Sequence, residues 1–251
     1  MLEVENVVRS FGALRAVDRV SLRVPRGSIT GLIGPNGAGK TTLFNTIAGQ
    51  LAPDSGEIRL AGRRIGGLRP DQVFHLGLGR TFQIPRPLGS LSVMDNLLLA
   101  PARQSGERLL DNWLRPARVR AEETAHREKA REVLEFVGFA HLAEQPARVL
   151  SGGQQKLLEL ARVLMIDPAL ILLDEPAAGV NPALLESLLE RIVALHRRGV
   201  TFLLIEHNME VVMRLCNPVL VMAQGRLVAQ GTPAEVRADA RVIDAYLGEA
   251  A

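Results

Sequence analysis

The stretch Ser28-Ile29-Thr30-Gly31-Leu32-Ile33-Gly34-Pro35-Asn36-Gly37-Ala38-Gly39-Lys40-Thr41-Thr42-Leu43-Phe44-Asn45-Thr46-Ile47-Ala48 decides how the chain is read. Its first six residues make a short, mostly apolar run of the kind that becomes a buried strand. Thr42 to Ala48 reads as a helix, with Gly49 as its stop. Between them Gly34–Thr41 fills the pattern G-x-x-x-x-G-K-[ST]. Three glycines allow a tight turn that brings backbone N–H groups against phosphate oxygens. Lys40 supplies a cation for the β and γ phosphates, and the Thr41 hydroxyl suits a Mg²⁺ ligand. Gly34, Pro35, Asn36, Gly37, Ala38, Gly39, Lys40, Thr41 and Thr42 are therefore candidates to hold a nucleotide. A glycine-rich turn of no function needs no such flanks, whereas strand, loop and helix in this order aim a helix N-terminus at an anion.

Outward from this stretch, apolar runs alternate with turn signals. Upstream, Leu2–Val8 and Val17–Val24 read as strands of an antiparallel edge. Downstream, Glu57–Leu60 is a short strand after the turn Pro53-Asp54-Ser55-Gly56, and Leu76–Gln83 is a strand running into a loop. Two prolines bar Ile84-Pro85-Arg86-Pro87-Leu88 from regular structure. From about Ser92 to Leu150 the character turns helical and charge-rich. Ser92–Ala100 is a capped helix, and Val119–Val137 places Ala130, Val133, Leu134 and Val137 on one face. Alternation then resumes: helix Gln155–Ile166, the continuous apolar run Leu170–Leu173, a helix opened by Asn181-Pro182, and a second apolar run up to Ile205. Asn208–Cys216 is a short helix, Val219–Val228 a hairpin around Gln224-Gly225, and the tail from Thr232 is mostly helical. The expectation is an α/β fold with a doubly wound sheet and an antiparallel β edge. Residues 1–91 and 151–251 supply the core, and an α-helical subdomain is inserted at about 92–150.

The chain has 251 residues and is 47% hydrophobic, enough for a substantial core. Its net charge is +3 without any basic block, so nucleic-acid binding is not indicated. Cys216 is the sole cysteine, which excludes a disulfide within the chain and a cysteine-based zinc site. The first residues carry acids rather than a basic region followed by an apolar run, so they do not read as a secretory signal. No stretch approaches the roughly 20 apolar residues of a membrane helix, so a membrane role requires partner chains.

The remaining chemistry gathers at strand ends and one helix start. Asp174 and Glu175 follow the run 170–173, where open α/β sheets bind ligands. As neighbours on a strand they should point to opposite faces and do different work. Asp174 suits a Mg²⁺ contact, and Glu175 suits a base that polarises water. His207, after Glu206, ends the other buried strand and shares that location. Ser151-Gly152-Gly153-Gln154 opens the helix 155–166, with Ser151 as an N-cap and the glycines forming a second anion-grade helix start. Two such starts in one chain suit a head-to-tail dimer sharing two nucleotides.

Taken together, these residues resemble the ATP-binding subunits of ABC transporters, built on a RecA-like P-loop NTPase core. Gly34–Thr42 corresponds to Walker A, Gln83 to the glutamine loop, and Leu150–Gln154 to the signature. Leu170–Asp174 with Glu175 corresponds to Walker B, and His207 to the switch histidine. The resemblance covers essentially the whole chain. It implies ATP and Mg²⁺ as ligands, with Thr41, Gln83 and Asp174 at the metal and Phe11 and Val17 toward the base. Glu175, His207, Lys40 and Gln83 are the implied catalytic group, while Ser151, Gly152, Gly153 and Gln154 close on a partner's nucleotide. The implied partners are transmembrane permease subunits, a second ATPase subunit (identical or related) and, indirectly, a solute-binding protein. The implied location is the cytoplasmic face of the inner membrane. Asn181 stands where many members have aspartate, which keeps a helix cap but removes a charge. Gly79–Gln83, Glu175–Gly179, Ile205–Met209 and Arg241–Gly248 are similar to ATPases of branched-chain amino acid importers. The ATPase of a lipopolysaccharide exporter is the nearest alternative. A soluble ABC protein and a P-loop kinase are more distant ones.

Overall fold

The computed structural model describes residues 1–81, 87–101, 104–107 and 113–247. Two compact units emerge. The first comprises Met1–Gln83, Ala169–Ala178 and Ile192–Ala251, and the second Ile84–Pro168 with Gly179–Arg191.

The first unit holds two sheets. Strands β1 (Leu2–Phe11), β2 (Leu14–Val24), β4 (Ser55–Leu60) and β5 (Arg63–Arg64) form an antiparallel sheet in the order β2-β1-β4-β5. Strands β3 (Ile29–Ile33), β6 (Leu78–Arg80), β7 (Leu170–Asp174), β8 (Thr201–Ile205), β9 (Val219–Ala223) and β10 (Arg226–Gly231) form the other, in the order β10-β9-β3-β8-β7-β6. Its β9-β3-β8-β7-β6 portion is parallel, and β10 returns antiparallel along β9. Every residue of β3, β7 and β8 is buried, which is why these strands are unbroken apolar runs rather than alternating ones. One hydrophobic cluster joins both sheets: Leu2, Val4, Val20 and Ile58 from the antiparallel sheet meet Leu32, Leu172 and Leu203 from the parallel one. Phe44 and Leu43 of helix α1 (Lys40–Ile47) sit in the same cluster, fully buried. That helix ends at Ala48, and Gly49 follows at φ +76, the left-handed position that closes many helices.

Helix α2 (Pro70–His75) lies between β5 and β6 and was not foreseen from the sequence. In the second unit, α3 (Val93–Leu98) is capped by Ser92, whose hydroxyl accepts from the Asp95 N–H at 3.0 Å. Helix α4 (Pro116–Val137) buries Ala130, Val133, Leu134 and Val137, the expected stripe, and stops at Gly138 with φ +80. Helix α5 (Gly152–Leu164) buries Leu157, Leu160, Ala161 and Leu164. An ion pair from Lys129 to Asp167 and the Arg191 guanidinium 5.7 Å over the Phe136 ring add polar ties within this unit. Helix α6 (Pro182–Arg197) is capped by Asn181, whose Oδ1 accepts from the Leu184 N–H at 2.9 Å. The chain then runs through α7 (Met209–Leu215), α8 (Pro233–Ala238) and α9 (Ala240–Leu247), the last three helices of the first unit.

Candidate functional site

The loop between β3 and α1 is shaped by close backbone approach. Gly34 has φ +148, and a Cβ there would stand 2.0 Å from the Met222 carbonyl oxygen. Gly39 has φ +94, and a Cβ would stand 2.1 Å from the Ala16 carbonyl oxygen. Only glycine satisfies both demands at either position. Lys40 is buried, and its Nζ donates to the carbonyls of Gly34 and Pro35 at 2.7 Å each, so the ammonium ties the end of the loop to its start. Asn36, Gly37, Ala38, Gly39, Lys40, Thr41 and Thr42 line a cleft of about 320 Å³, together with Phe11, Leu14, Ala16, Glu175 and His207. That volume lies within the range of small-molecule sites.

Phe11 is 47% exposed at the rim of this cleft, not a core residue. Its ring lies 5.2 Å from the Arg9 guanidinium, which is anchored in turn on Asp54 Oδ1 and the Ala52 carbonyl at 3.0 Å each. Val17 is placed differently from the expectation: it is fully buried in the core cluster, and Leu14 and Ala16 line the cleft instead. The β1–β2 pairing shifts register between Val7 and Arg9 and again between Arg9 and Ser10. Each such bulge moves the following side chains to the other face.

At the end of β7, Asp174 is 4% exposed. Its Oδ2 meets Arg80 Nη2 at 3.3 Å, and Arg80 Nη1 donates to Gln50 Oε1 at 3.1 Å. Asp174 Oδ1 is buried and has no hydrogen-bond partner among the described residues. Burial pushes the Asp174 carboxyl above the ordinary aspartate range, and the Arg80 charge pulls it partly back. Glu175 does not continue the strand. It sits at φ +49, its N–H donates to the Ile205 carbonyl at 3.0 Å, and its carbonyl accepts from the Ala178 N–H at 3.1 Å. The two acids therefore diverge because the chain turns left-handed after Asp174, not because strand residues alternate. Glu175 Oε1 reaches His207 Nε2 at 2.8 Å, so the acid and the histidine from the ends of β7 and β8 form a pair facing the cleft.

Two hard oxygen donors, the exposed Thr41 hydroxyl and the unpartnered Asp174 oxygen, fit Mg²⁺, which takes one or two protein oxygens and completes its shell with phosphate and water. Among the described residues no cluster of three His, Cys, Asp or Glu side chains could hold a metal by itself. Gln83 lies outside the described residues. In the second unit, Ser151 caps α5: its Oγ accepts from the Gln154 N–H at 3.4 Å, and Gln154 Oε1 accepts from the Ser151 N–H at 2.9 Å. Gly152 and Gly153 begin that helix.

A parallel sheet whose central strand feeds a glycine loop and a buried helix defines a P-loop nucleoside triphosphatase. Residues 17–178 match the family model described as "ABC transporter", and residues 226–251 match "Branched-chain amino acid ATP-binding cassette transporter". The chain is 42% identical to a probable branched-chain amino acid transport ATP-binding protein LivG of Archaeoglobus fulgidus, covering 99% of this chain and 95% of that one. It is 41% identical to the high-affinity branched-chain amino acid transport ATP-binding protein BraF of Pseudomonas aeruginosa, covering 100% and 98%. A crystal structure of a nucleotide-free ATP-binding cassette from an ABC transporter superposes with a TM-score of 0.85 at 38% identity, covering 98% of each chain. The chain belongs to the ABC transporter family and is one of its nucleotide-binding ATPase subunits. No helix among the described residues is long and apolar enough to cross a membrane.

Proposed function

We propose that this ATPase drives an importer of branched-chain amino acids by hydrolysing ATP held between two subunits arranged head to tail. The substrate class is supported by near full-length similarity to the LivG and BraF proteins and by the separate match over 226–251. The observation that carries the catalytic reading is the 2.8 Å contact between Glu175 and His207 at the cleft that the glycine loop lines.

In this reading the triphosphate lies along the loop N–H groups and Lys40, which neutralise charge as the terminal phosphoryl group departs. The Glu175 carboxylate takes a proton from water as the water oxygen attacks, and His207 donates to the γ phosphate. Thr41 and Asp174, with Gln83, would hold Mg²⁺, which when bound neutralises charge on the β and γ oxygens. Phe11 stacks on the adenine. Ser151, Gly152, Gly153 and Gln154 close on the nucleotide of the partner subunit, an identical or related chain. The segment at about 92–150 is a helical subdomain, and the partners are transmembrane permease subunits on the cytoplasmic side of the inner membrane, to which Gln83 would couple the metal and water. A solute-binding protein acts through those subunits.

Glu175→Gln tests the catalytic core of this reading. Hydrolysis should fall about 10³-fold while ATP binding survives, and sedimentation should show a dimer that accumulates with ATP. Hydrolysis at the wild-type rate would reject Glu175 as the base. ATP-dependent uptake of leucine, isoleucine or valine by the complex reconstituted with its membrane chains tests the substrate class. Transport of none of the three would reject it.

A further inference from the structure

Glu206 is a carboxylate that neither the glycine loop nor the Glu175–His207 pair uses, and it is only 3% exposed. A buried carboxylate is costly unless its oxygens are satisfied. Here both are. Oε1 accepts from the Ala177 N–H at 2.7 Å, while Oε2 accepts from the N–H groups of His207 at 3.0 Å and Asn208 at 3.1 Å. Ala177 belongs to the turn that follows Glu175, and His207 and Asn208 belong to the segment that follows β8. One side chain thus ties together the backbones of the two loops whose side chains meet at 2.8 Å. Asn208 extends the tie, because its Oδ1 caps α7 by accepting from Glu210 and Val211.

Two further observations show what such a tie must do. Glu175 stands at φ +49, a backbone conformation that a non-glycine residue adopts only when its surroundings hold it there. Glu175 and His207 are also side chains on loops, where separation is set by how the two loops are joined. A charge-assisted hydrogen bond to the turn at Ala177 supplies directed, short contacts that an apolar residue at position 206 would lack.

We propose that Glu206 is a positioning residue of the ATPase: by clamping the loop after Glu175 to the loop that carries His207, it sets the geometry in which these two groups act on ATP. Its carboxylate oxygens are engaged by backbone N–H groups, so it acts through the two loops and not on the substrate. The inference rests on Glu175 being the base.

The test compares Glu206→Gln and Glu206→Ala in the full-length chain, assayed well below their thermal midpoints. The glutamine is isosteric, but its amide nitrogen cannot accept, so at least one of the three N–H groups loses its partner. Glu206→Gln should lower kcat about tenfold and Glu206→Ala about a hundredfold, with KM for ATP within about twofold of wild type. Because Glu206 acts by holding Glu175 against His207, losing His207 removes what the clamp sets, and adding His207→Ala to Glu206→Ala should cost no more than the larger single effect. A kcat within twofold of wild type in both folded variants would overturn the proposal. So would losses that multiply with His207→Ala, or a loss that only follows the fraction of unfolded chain. If Glu206→Ala does not fold, the glutamine variant carries the test alone. Wild-type hydrolysis in Glu175→Gln would instead remove the reading on which the proposal stands, whatever the Glu206 variants do.

Discussion

Two buried carboxylates stand at the ends of neighbouring parallel strands, and they are satisfied in opposite ways. Asp174 ends β7, paired in register with Ile205, and Glu206 follows directly after Ile205. Both are almost wholly buried. Asp174 has one oxygen on Arg80 and the other with no hydrogen-bond partner among the described residues. Glu206 has both oxygens filled by backbone N–H groups. A buried acceptor left open is expensive, and chains keep one where something else will complete it. A buried acceptor fully engaged by backbone braces the fold around it. Equal burial thus goes with two different jobs, and the hydrogen-bond inventory tells them apart.

The largest effect expected from breaking this comparison comes at Asp174. Asp174→Asn should lower Mg²⁺-dependent hydrolysis by at least about a hundredfold, in the range seen when a group that stabilises developing charge is removed. It should also cost about 3 kcal/mol of stability, because Arg80 is left buried with its charge uncompensated. Adding Arg80→Met should return most of that stability and none of the activity. Denaturant melts and steady-state rates on the three proteins check this. A double variant as unstable as the single would mean that the ion pair is not what Asp174 contributes to the fold.

Glu206 should answer differently. Glu206→Leu removes the acceptor for three N–H groups, and unfolding should become easier by about 2–3 kcal/mol. No second side-chain substitution should restore the loss, because the partners are backbone. A rescuing substitution found among neighbouring side chains would erase the distinction between the two acids.

This contrast was only half visible in the sequence. The glycine loop, the buried strands and the helix caps at Ser92, Ser151 and Asn181 were legible because each depends on a few adjacent residues with a fixed physical role. Asp174, Glu175 and His207 were legible as strand-end residues for the same reason. The Arg80–Asp174 pair spans 94 positions, and Glu206 reaches Ala177 across 29, so neither leaves a local pattern. Helix α2 has six residues and a single buried one, Val73, too few to show a period. The fate of Val17 turned on the bulges in β2, which a strand-like pattern of residues does not reveal. The left-handed turn at Glu175 is carried by a residue with no special preference for it, so the sequence suggested a strand continuing where the chain in fact bends.

A third carboxylate sharpens the comparison by removing burial from it. Glu122 in α4 is as fully engaged as Glu206, accepting from the Ser105 N–H and hydroxyl at 3.0 Å each and from Arg118 Nε at 2.9 Å, but its side chain is 31% exposed. Those contacts, Arg118 first, hold its carboxyl down from an ordinary 4.5 to about 2. A lowered folded value means that the unfolded chain takes up the proton first as pH falls. The contribution of Glu122 is therefore complete above about pH 4.5 and is lost as pH falls toward 2. Solvent screens this site, so the effect on global stability should be the smallest of the three and is best read locally. Hydrogen exchange at the Ser105 amide should be slower in wild type than in Glu122→Gln at neutral pH, and the two should converge between pH 4.5 and 2. A gap that persisted unchanged through that window would mean that the hydrogen bonds to Ser105 do not depend on the charge. Satisfaction by itself, without burial, would then not be enough to make a carboxylate a brace.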